Sequence, residues 1–291
     1  PDSALYAKTI MSALDGRETL SEVRQMGALA APYPFVLYSD LYDHKDFIRG
    51  VVNSGFSGLL WTPEFRSAKT KEECIRRMQC IVFSCQCLVN AWSYDGIPWV
   101  IFDCEEEVRQ LLDLRYRLIP MLKKAFDEYH ATGKPPIRAL VMDYTDDIAC
   151  RYLDQQYMLG DNLLCAPVFR EDGVANFYLP EGKWYDIITG KTYEGGKYHS
   201  VTCTFMEMPV LAKPNSIVTF GAFENQFEYD YLDGADAMIC SLEDGKTAEA
   251  AIYDTKANLV LTLKASRKGN VISIESSNTD KTFTVSVAGT D

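Results

Sequence analysis

Three polar side chains in the first half of the chain stand where predicted secondary-structure elements end, and they could do chemistry there. The compact apolar run at residues 34–38 predicts a buried strand, and Asp40 comes just after it. Glu64 follows a second short buried strand predicted at residues 58–62, and Asn90 ends a helical pattern. A positioned carboxyl group can act as a general acid or base, and an amide can donate and accept hydrogen bonds. Because side chains at the carboxyl ends of parallel strands lie at the same edge of a sheet, Asp40 and Glu64 are candidates for one active site.

The elements that must position these side chains alternate along the chain. Apolar residues recur at helical spacing in three segments, at residues 5–14, 46–54 and 71–90. Buried strands separated by helices are typical of a parallel sheet wrapped by helices. Residues 105–130 carry the clearest helical pattern, in which Pro120 predicts a kink or break.

Beyond about residue 150 the pattern changes to short strands separated by Gly, Pro, Asn and Asp. The predicted strands lie at residues 176–179, 184–188, 199–206, 216–220, 237–242, 248–254, 259–264, 271–275 and 282–287. Such short alternating segments are typical of antiparallel β-sandwiches.

Four blocks in this second half, taken in order, resemble one enzyme family. They are Asp-Gln-Gln-Tyr-Met-Leu-Gly-Asp at residues 154–161, Leu-Leu-Cys-Ala-Pro-Val at 163–168, Tyr-Leu-Pro-Glu-Gly-Lys-Trp-Tyr-Asp at 178–186 and Thr-Gly-Lys-Thr-Tyr-Glu-Gly-Gly at 189–196. The chain resembles glycoside hydrolase family 31, the retaining α-glycosidases, over residues 4–221, and residues 113–120 and 132–138 match the family as well.

The resemblance implies a fold of mixed class, α/β plus all-β. Residues 1–148 would be the C-terminal part of a (β/α)8 TIM barrel, residues 149–222 a proximal β-sandwich domain and residues 223–291 a distal one. The implied reaction is hydrolysis of terminal non-reducing α-glycosidic bonds with retention, as in an α-glucosidase, on an oligosaccharide or other α-glycoside. No metal and no cofactor is implied.

The resemblance also assigns a role to Asp40. Tyr38-Ser39-Asp40 is similar to the family block that ends in the acid/base aspartate, although the Trp and the Gly of that block are absent. Arg24, sixteen residues earlier, stands where the family has an arginine that contacts the sugar. The alternatives for Asp40 are a helix N-cap or a surface carboxylate. Asp43 and Asp46 compete for the catalytic role.

Three further residues are implied to bind the substrate. Glu64 stands where the family has an aspartate that hydrogen-bonds sugar hydroxyls, with an ion pair to Arg66 as the alternative. Asn90 falls at the position of a sugar-binding histidine, and Trp61 is a candidate for stacking on a sugar face. Because the Glu and the Asn depart from the family pattern, glucose, xylose and galactose all stay open as the sugar.

The block that would carry the family's nucleophilic aspartate, on an earlier barrel strand, does not occur in this sequence. We therefore expect the chain to be the C-terminal portion of a larger enzyme, with the N-terminal portion of the same enzyme as its partner. The alternatives are a transglycosylase or lyase of the same family, a non-catalytic carbohydrate-binding fragment and a purely structural fragment.

Composition excludes some partners and indicates a compartment. The net charge of −12 argues against nucleic acid and anionic membranes, both of which need basic patches. No apolar run reaches the roughly 18 residues that span a bilayer. Nine irregularly spaced cysteines and three distant histidines do not form a metal pattern, and they predict reduced thiols in the cytoplasm.

Overall fold

The computed structural model describes residues 3–17, 21–23, 27, 31–37, 43–60, 64–91, 94–222, 225–277 and 280–290. Helices in these ranges are α1 (Ser3–Leu14), α2 (His44–Phe56), α3 (Lys71–Val82), α4 (Pro98–Ile101), α5 (Glu105–Arg117), α6 (Ile119–Thr132) and α7 (Leu140–Asp143), with a 3-10 helix at Ile148–Tyr152. Strands of the first part are β1 (Ser21–Val23), β2 (Phe35–Leu37), β3 (Glu64–Phe65) and β4 (Leu88–Val89). Later strands are β5 (Ile137–Arg138), β6 (Tyr157–Leu159), β7 (Leu163–Cys165), β8 (Val174–Leu179), β9 (Lys183–Asp186), β10 (Thr192–Glu194), β11 (Lys197–Thr202), β12 (Val210–Ala212), β13 (Ser216–Phe220), β14 (Asp236–Cys240), β15 (Thr247–Tyr253), β16 (Leu259–Lys268), β17 (Val271–Ser276) and β18 (Thr284–Ala288).

The strands of the first part run parallel. β1 pairs with β2, and β3 pairs with β4, each in parallel register. The Leu37 amide donates to the Leu60 carbonyl at 2.8 Å, which links the end of β2 to the segment that leads into β3. The predicted parallel pairing is therefore confirmed for these strands. Within each pair the two carboxyl ends lie at the same edge.

Helix α2 packs against β5 through a small residue. Phe47, Ile48, Val51 and Val52 are buried, and each such burial contributes roughly 1.5–3 kcal/mol. At Gly55 a Cβ atom would lie 2.1 Å from the carbonyl oxygen of a β5 residue, so only glycine permits this approach.

Two predicted elements of the first part differ from the structure. Helix α3 ends at Val82, not at residue 90, because the Ser84 hydroxyl donates to the carbonyls of Ile81 and Gln86 and stabilises a turn. The strand predicted at 58–62 is wrong over its described residues. Gly58 has a φ of 74°, which makes a turn, and the strand lies instead at β3.

The predicted break near Pro120 is confirmed. α5 ends at Arg117 and α6 begins at Ile119, with Pro120 in the first turn of α6, where a proline removes no helical hydrogen bond. The Arg115 guanidinium donates to the carbonyls of Val82 and Cys85, at 2.7 and 3.0 Å, and so fixes the turn after α3.

The second part is mainly antiparallel β structure with two buried cores, and β14 and β18 form its one parallel pair among the described strands. A six-stranded sheet has the order β10-β9-β12-β7-β6-β5, and β8 pairs with β11. Trp184 is fully buried in this first core. The second core lies between the sheets β13-β14-β18 and β15-β16-β17. Each β-strand predicted beyond residue 150 overlaps an observed strand. The predicted limit between the two sandwich domains, at residues 222/223, falls between β13 and β14, which pair with each other.

Buried polar contacts join the two parts of the chain. Arg76 of α3 donates to the Glu207 carbonyl at 2.6 Å and the Cys203 carbonyl at 3.3 Å. Arg117 lies over the Phe220 ring at 5.3 Å. Lys124 and Lys134 donate to opposite oxygens of Asp161, at 2.7 and 2.6 Å. Burial opposes ionisation of Asp161, but these two hydrogen bonds outweigh it and hold its pKa below the usual range.

Candidate active site

Two of the predicted site residues lie on or beside the neighbouring strands β3 and β4. Glu64 is the first residue of β3 and pairs with Leu88 of β4 in the parallel register. Asn90 directly follows β4, and its backbone N–H donates to the Phe65 carbonyl at 2.8 Å. Adjacent strands are about 4.8 Å apart. The structure therefore places the backbones of Glu64 and Asn90 on neighbouring segments, and their roles stay predictions.

Glu64 has the most unusual environment in the described part of the chain. Its side chain is 5% exposed, and neither carboxylate oxygen has a hydrogen-bond partner among the described residues. The Arg66 Nε atom lies 3.7 Å from Oε1, so the ion pair weighed as an alternative is present, but at a distance too long for a hydrogen bond. A buried carboxylate normally accepts several hydrogen bonds, and Glu64 accepts none from the described residues.

Arg24, Asp40 and Trp61 lie outside the residues that the structure describes, so their roles stay predictions. The two competitors of Asp40 are described, and both have structural contacts. Asp43 is the N-cap of α2, and its Oδ1 accepts from the Lys45 and Asp46 amides at 2.9 and 3.0 Å.

Asp46, the second competitor, is exposed and forms an ion pair with Arg49 at 3.5 Å. Asp43 and Asp46 therefore both have contacts within helix α2 and its first turn.

His44 and Cys80 form a contact that the sequence did not predict. His44 begins α2, and its Nε2 lies 2.9 Å from the Cys80 sulfur. Burial, followed by the charge of Arg77, lowers the His44 pKa to about 3, and burial raises the Cys80 pKa to about 12. His44 is thus neutral and Cys80 is a thiol at neutral pH. The pair fits an S–H···N hydrogen bond and not an activated thiolate.

Three further features of the described ranges concern metal binding, cysteine pairing and membrane crossing. No cluster of three or more His, Cys, Asp or Glu side chains there could hold a metal ion. The nine cysteines are unpaired, and Cys74 and Cys104 have their sulfurs 3.6 Å apart. Of the helices that the structure describes, none has the length and apolar character that crossing a membrane requires.

Comparison with known proteins identifies the family. Residues 133–218 match the glycosyl hydrolase family 31 C-terminal domain, and residues 230–291 match the C-terminal domain of alpha-xylosidase YicI. An alpha-xylosidase of Emericella nidulans is 30% identical over 222 residues, which are 71% of this chain and 28% of the relative. Alpha-glucosidase 2 of Bacillus thermoamyloliquefaciens is 32% identical over 133 residues, or 45% of this chain and 17% of that protein.

A solved structure has the same fold. The cycloalternan-forming enzyme of Listeria monocytogenes, in complex with a pentasaccharide substrate, superposes with a TM-score of 0.82 at 22% identity. The match covers 97% of this chain and 30% of that one. The chain belongs to glycoside hydrolase family 31, and it spans less than a third of the length of these relatives.

Proposed function

We propose that the protein carrying this chain hydrolyses terminal non-reducing α-glycosidic bonds with retention of configuration. The observation that carries the proposal is Glu64, a buried carboxylate without a hydrogen-bond partner in the described ranges, on a strand that neighbours the segment holding Asn90. Membership of family 31 supports this interpretation, since the relatives are named alpha-xylosidase and alpha-glucosidase.

The proposed architecture is part of a (β/α)8 barrel followed by two β-sandwich domains. β1–β4 would be barrel strands, and the N-terminal portion of the same enzyme would supply the others. Support comes from the two parallel pairs, from the link between Leu37 and Leu60, and from the helices that follow the strands. The limits at 148/149 and 222/223 stay predictions.

In the proposed mechanism Asp40 first protonates the leaving oxygen and then deprotonates water. A retaining glycosidase needs a second carboxylate, the nucleophile, roughly 5 Å from the acid. We propose that the N-terminal portion of the enzyme supplies this nucleophile. Support for Asp40 comes from its position just beyond β2, and from the structural contacts of Asp43 and Asp46.

The remaining site residues would orient the sugar. Glu64 would accept hydrogen bonds from hydroxyl groups, and Asn90 would donate and accept others. Arg24 would contact the sugar, and Trp61 would stack on one of its faces. Closing the site over the sugar would exclude water and strengthen the contacts of the Glu64 carboxylate.

The proposed partners are an α-glycoside or oligosaccharide substrate and the rest of the enzyme. The net charge of −12 argues against nucleic acid and anionic membranes as partners. A cytoplasmic location is proposed from the nine cysteines, none of which is paired in the structure.

A second candidate is transglycosylation, in which a sugar hydroxyl replaces water as the acceptor. The observation that favours it is the fold shared with the cycloalternan-forming enzyme of Listeria monocytogenes. Product analysis separates the alternatives, because a transferase gives longer or cyclic saccharides, a lyase gives an unsaturated anhydro-sugar, and a hydrolase gives free sugar. A non-catalytic carbohydrate-binding protein would give no product.

The test of the catalytic assignment is Asp40→Asn in the whole enzyme, assayed with two leaving groups. General acid catalysis contributes roughly 10²–10⁴-fold, so kcat/KM for a substrate with a poor leaving group should fall by about that factor. A nitrophenyl glycoside, which needs no proton for departure, should lose less in the first step. Asp46→Asn is the matched control and should change both rates by less than about twofold. Equal losses on both substrates, or the same profile for Asp46→Asn, would exclude Asp40.

Intact mass and peptide mapping of the native material test the proposed partner. A segment carrying an aspartate nucleophile, in the same or a second chain, is expected. Native, active material without such a segment would contradict the proposal.

A further inference from the structure

A face of the β8–β11 ribbon carries aromatic, amide and hydroxyl groups and lies on the second part of the chain. Tyr198 stands opposite Tyr178, and Ser200 opposite Asn176. Because side chains alternate along a strand, these four lie on one side of the ribbon, which we call the ribbon face. Asn176, Tyr198 and Ser200 are exposed. The ribbon face contains no Asp, Glu, Lys, Arg or His.

The exposed ring of Tyr198 is supported by a fixed neighbour. The ring centroids of Tyr178 and Tyr198 are 5.0 Å apart at 57°. The Tyr178 hydroxyl donates to Asp147 Oδ2 at 2.8 Å, and the ring is nearly buried. Tyr198 itself is 65% exposed. Because the large exposed ring of Tyr198 has little conformational freedom to lose, it can bind a ligand at a low entropic cost.

The acidic residue next to the ribbon face, Asp147, has both of its carboxylate oxygens in hydrogen bonds. Asp147 caps the 3-10 helix through Oδ1, which accepts from the Ala149 amide at 3.0 Å, while Oδ2 holds Tyr178. The 3-10 helix that Asp147 caps also carries exposed apolar groups, Ile148 at 71% and Tyr152 at 90% exposure.

We infer that the ribbon face binds a neutral oligosaccharide at a site separate from the catalytic edge. A sugar ring presents apolar C–H groups on its face and hydroxyl groups around its rim. The Tyr198 ring matches the first, and the amide of Asn176 with the hydroxyl of Ser200 matches the second. An uncharged face on a chain with a net charge of −12 suits an uncharged ligand, whereas a phosphate-bearing ligand would need cations. Tyr198 and Ser200 are about 6.6 Å apart along the strand, so a ligand that contacts both extends along the ribbon.

The ribbon face lies on the second part of the chain, whereas the proposed catalytic residues lie on the first part. Binding by the ribbon face therefore does not depend on the proposed function.

Affinity electrophoresis of the whole protein through gels with soluble α-glucan, starch or dextran, tests the inference. An active site for terminal residues binds only the rare chain ends of a polymer, whereas the ribbon face binds internal segments, so retardation reports the face. We expect the wild type to be retarded and Tyr198→Ala to bind at least about threefold more weakly, as the loss of one ring contact predicts. Tyr198→Phe should keep at least about half of the retardation, since the ring remains.

Controls separate binding from folding and from catalysis. Tyr6→Ala removes an exposed tyrosine on α1 and should leave retardation unchanged. Asn176→Asp keeps the shape of an exposed side chain but removes two donors and adds a charge, and it should weaken binding. All variants should keep wild-type activity on a nitrophenyl glycoside.

Two outcomes would overturn the inference. One is a wild type that migrates equally with and without glucan. The other is a Tyr198→Ala protein retarded like the wild type, or one that instead changes its oligomeric state, which would assign the face to a protein contact. If the enzyme proved inactive on all α-glycosides but glucan retardation depended on Tyr198, the catalytic proposal would fail and this inference would stand.

Discussion

The contact between Glu64 and Arg66 allows a substitution that distinguishes a binding residue from a structural one. Glu64→Gln keeps the shape of the side chain and removes its charge. In the described ranges the carboxylate accepts no hydrogen bond, and Arg66 Nε is 3.7 Å away. Glu64 is therefore a buried carboxyl group with one long contact to a cation among the described residues. In the proposed function, a sugar hydroxyl would donate to it.

Glu64→Gln should change the free energy of unfolding only slightly, because it removes both an attraction to Arg66 and the cost of burying a carboxylate. At 3.7 Å and an effective dielectric constant near 20, the attraction between Glu64 and Arg66 is about 4 kcal/mol. Removing the carboxylate from water costs several kcal/mol. Glu64→Gln should therefore change the free energy of unfolding by less than about 2 kcal/mol in either direction.

The expected activity change is larger. A hydrogen bond to a charged group contributes about 1.5–3 kcal/mol, so losing one to a sugar hydroxyl should lower kcat/KM by tenfold to about 150-fold. Glu73→Gln is the matched control, because Glu73 pairs with Arg77 at 2.9 Å on α3 and away from the strand edge. It should leave kcat/KM unchanged.

Thermal or denaturant unfolding and steady-state kinetics on the whole enzyme provide the two measurements. The reasoning fails if Glu64→Gln lowers the free energy of unfolding by more than about 3 kcal/mol while kcat/KM per folded molecule is unchanged. That result would assign Glu64 to a structural ion pair, since breaking such a pair costs about 3–5 kcal/mol.

Three further predictions concern the framework of the site. Gly55→Ala should lower the free energy of unfolding by about 1–3 kcal/mol or more, because a Cβ would lie 2.1 Å from the Ile137 carbonyl oxygen; denaturant unfolding checks this. Asp161→Asn should destabilise by roughly 1 kcal/mol at neutral pH, after allowance for partial exposure, because the folded pKa of Asp161 lies below its unfolded value. The difference from wild type should shrink as pH falls below about 4, measured by unfolding at several pH values. His44 has a folded pKa of about 3, below its unfolded value, so wild-type stability should fall by up to about 1.4 kcal/mol per pH unit between about pH 6.5 and 3. His44→Gln should show a shallower dependence over that window in the same measurement.

Elements with strong local signals were predictable from the sequence. Pro120 indicates a break, and the structure separates α5 from α6 there, because a proline at the start of a helix removes no hydrogen bond. The antiparallel strands alternate and are bounded by turn residues, so their positions follow from local chemistry.

Elements decided by distant contacts were not predictable. The end of α3 depends on Arg115, which is far along the chain and binds the carbonyls that follow the helix. The turn at Gly58 displaced the expected strand to β3. The sequence left a helix N-cap open as a role for Asp40, and in the structure Asp43 caps α2. The first residue of a helix can be predicted from sequence only to within a few residues.

The local placement of the candidate site residues was only partly predictable. Glu64 begins β3 instead of following a strand, and Asn90 follows β4 instead of ending a helix, while their neighbourhood follows from parallel pairing. The burial of Glu64 depends on tertiary packing and has no signature in the sequence. The same holds for the contact of His44 with Cys80, which brings together residues that are 36 positions apart.

Azide rescue of Asp40→Ala in the whole enzyme tests the central claim most directly. If Asp40 is the acid/base of a retaining α-glycosidase, a nitrophenyl α-glycoside should still form the glycosyl-enzyme, and azide should then release it. The account predicts restored turnover and an α-glycosyl azide, with the configuration of the substrate retained, as identified by NMR. A β-glycosyl azide would identify Asp40 as the nucleophile, and turnover that azide does not restore would remove Asp40 from the catalytic pair.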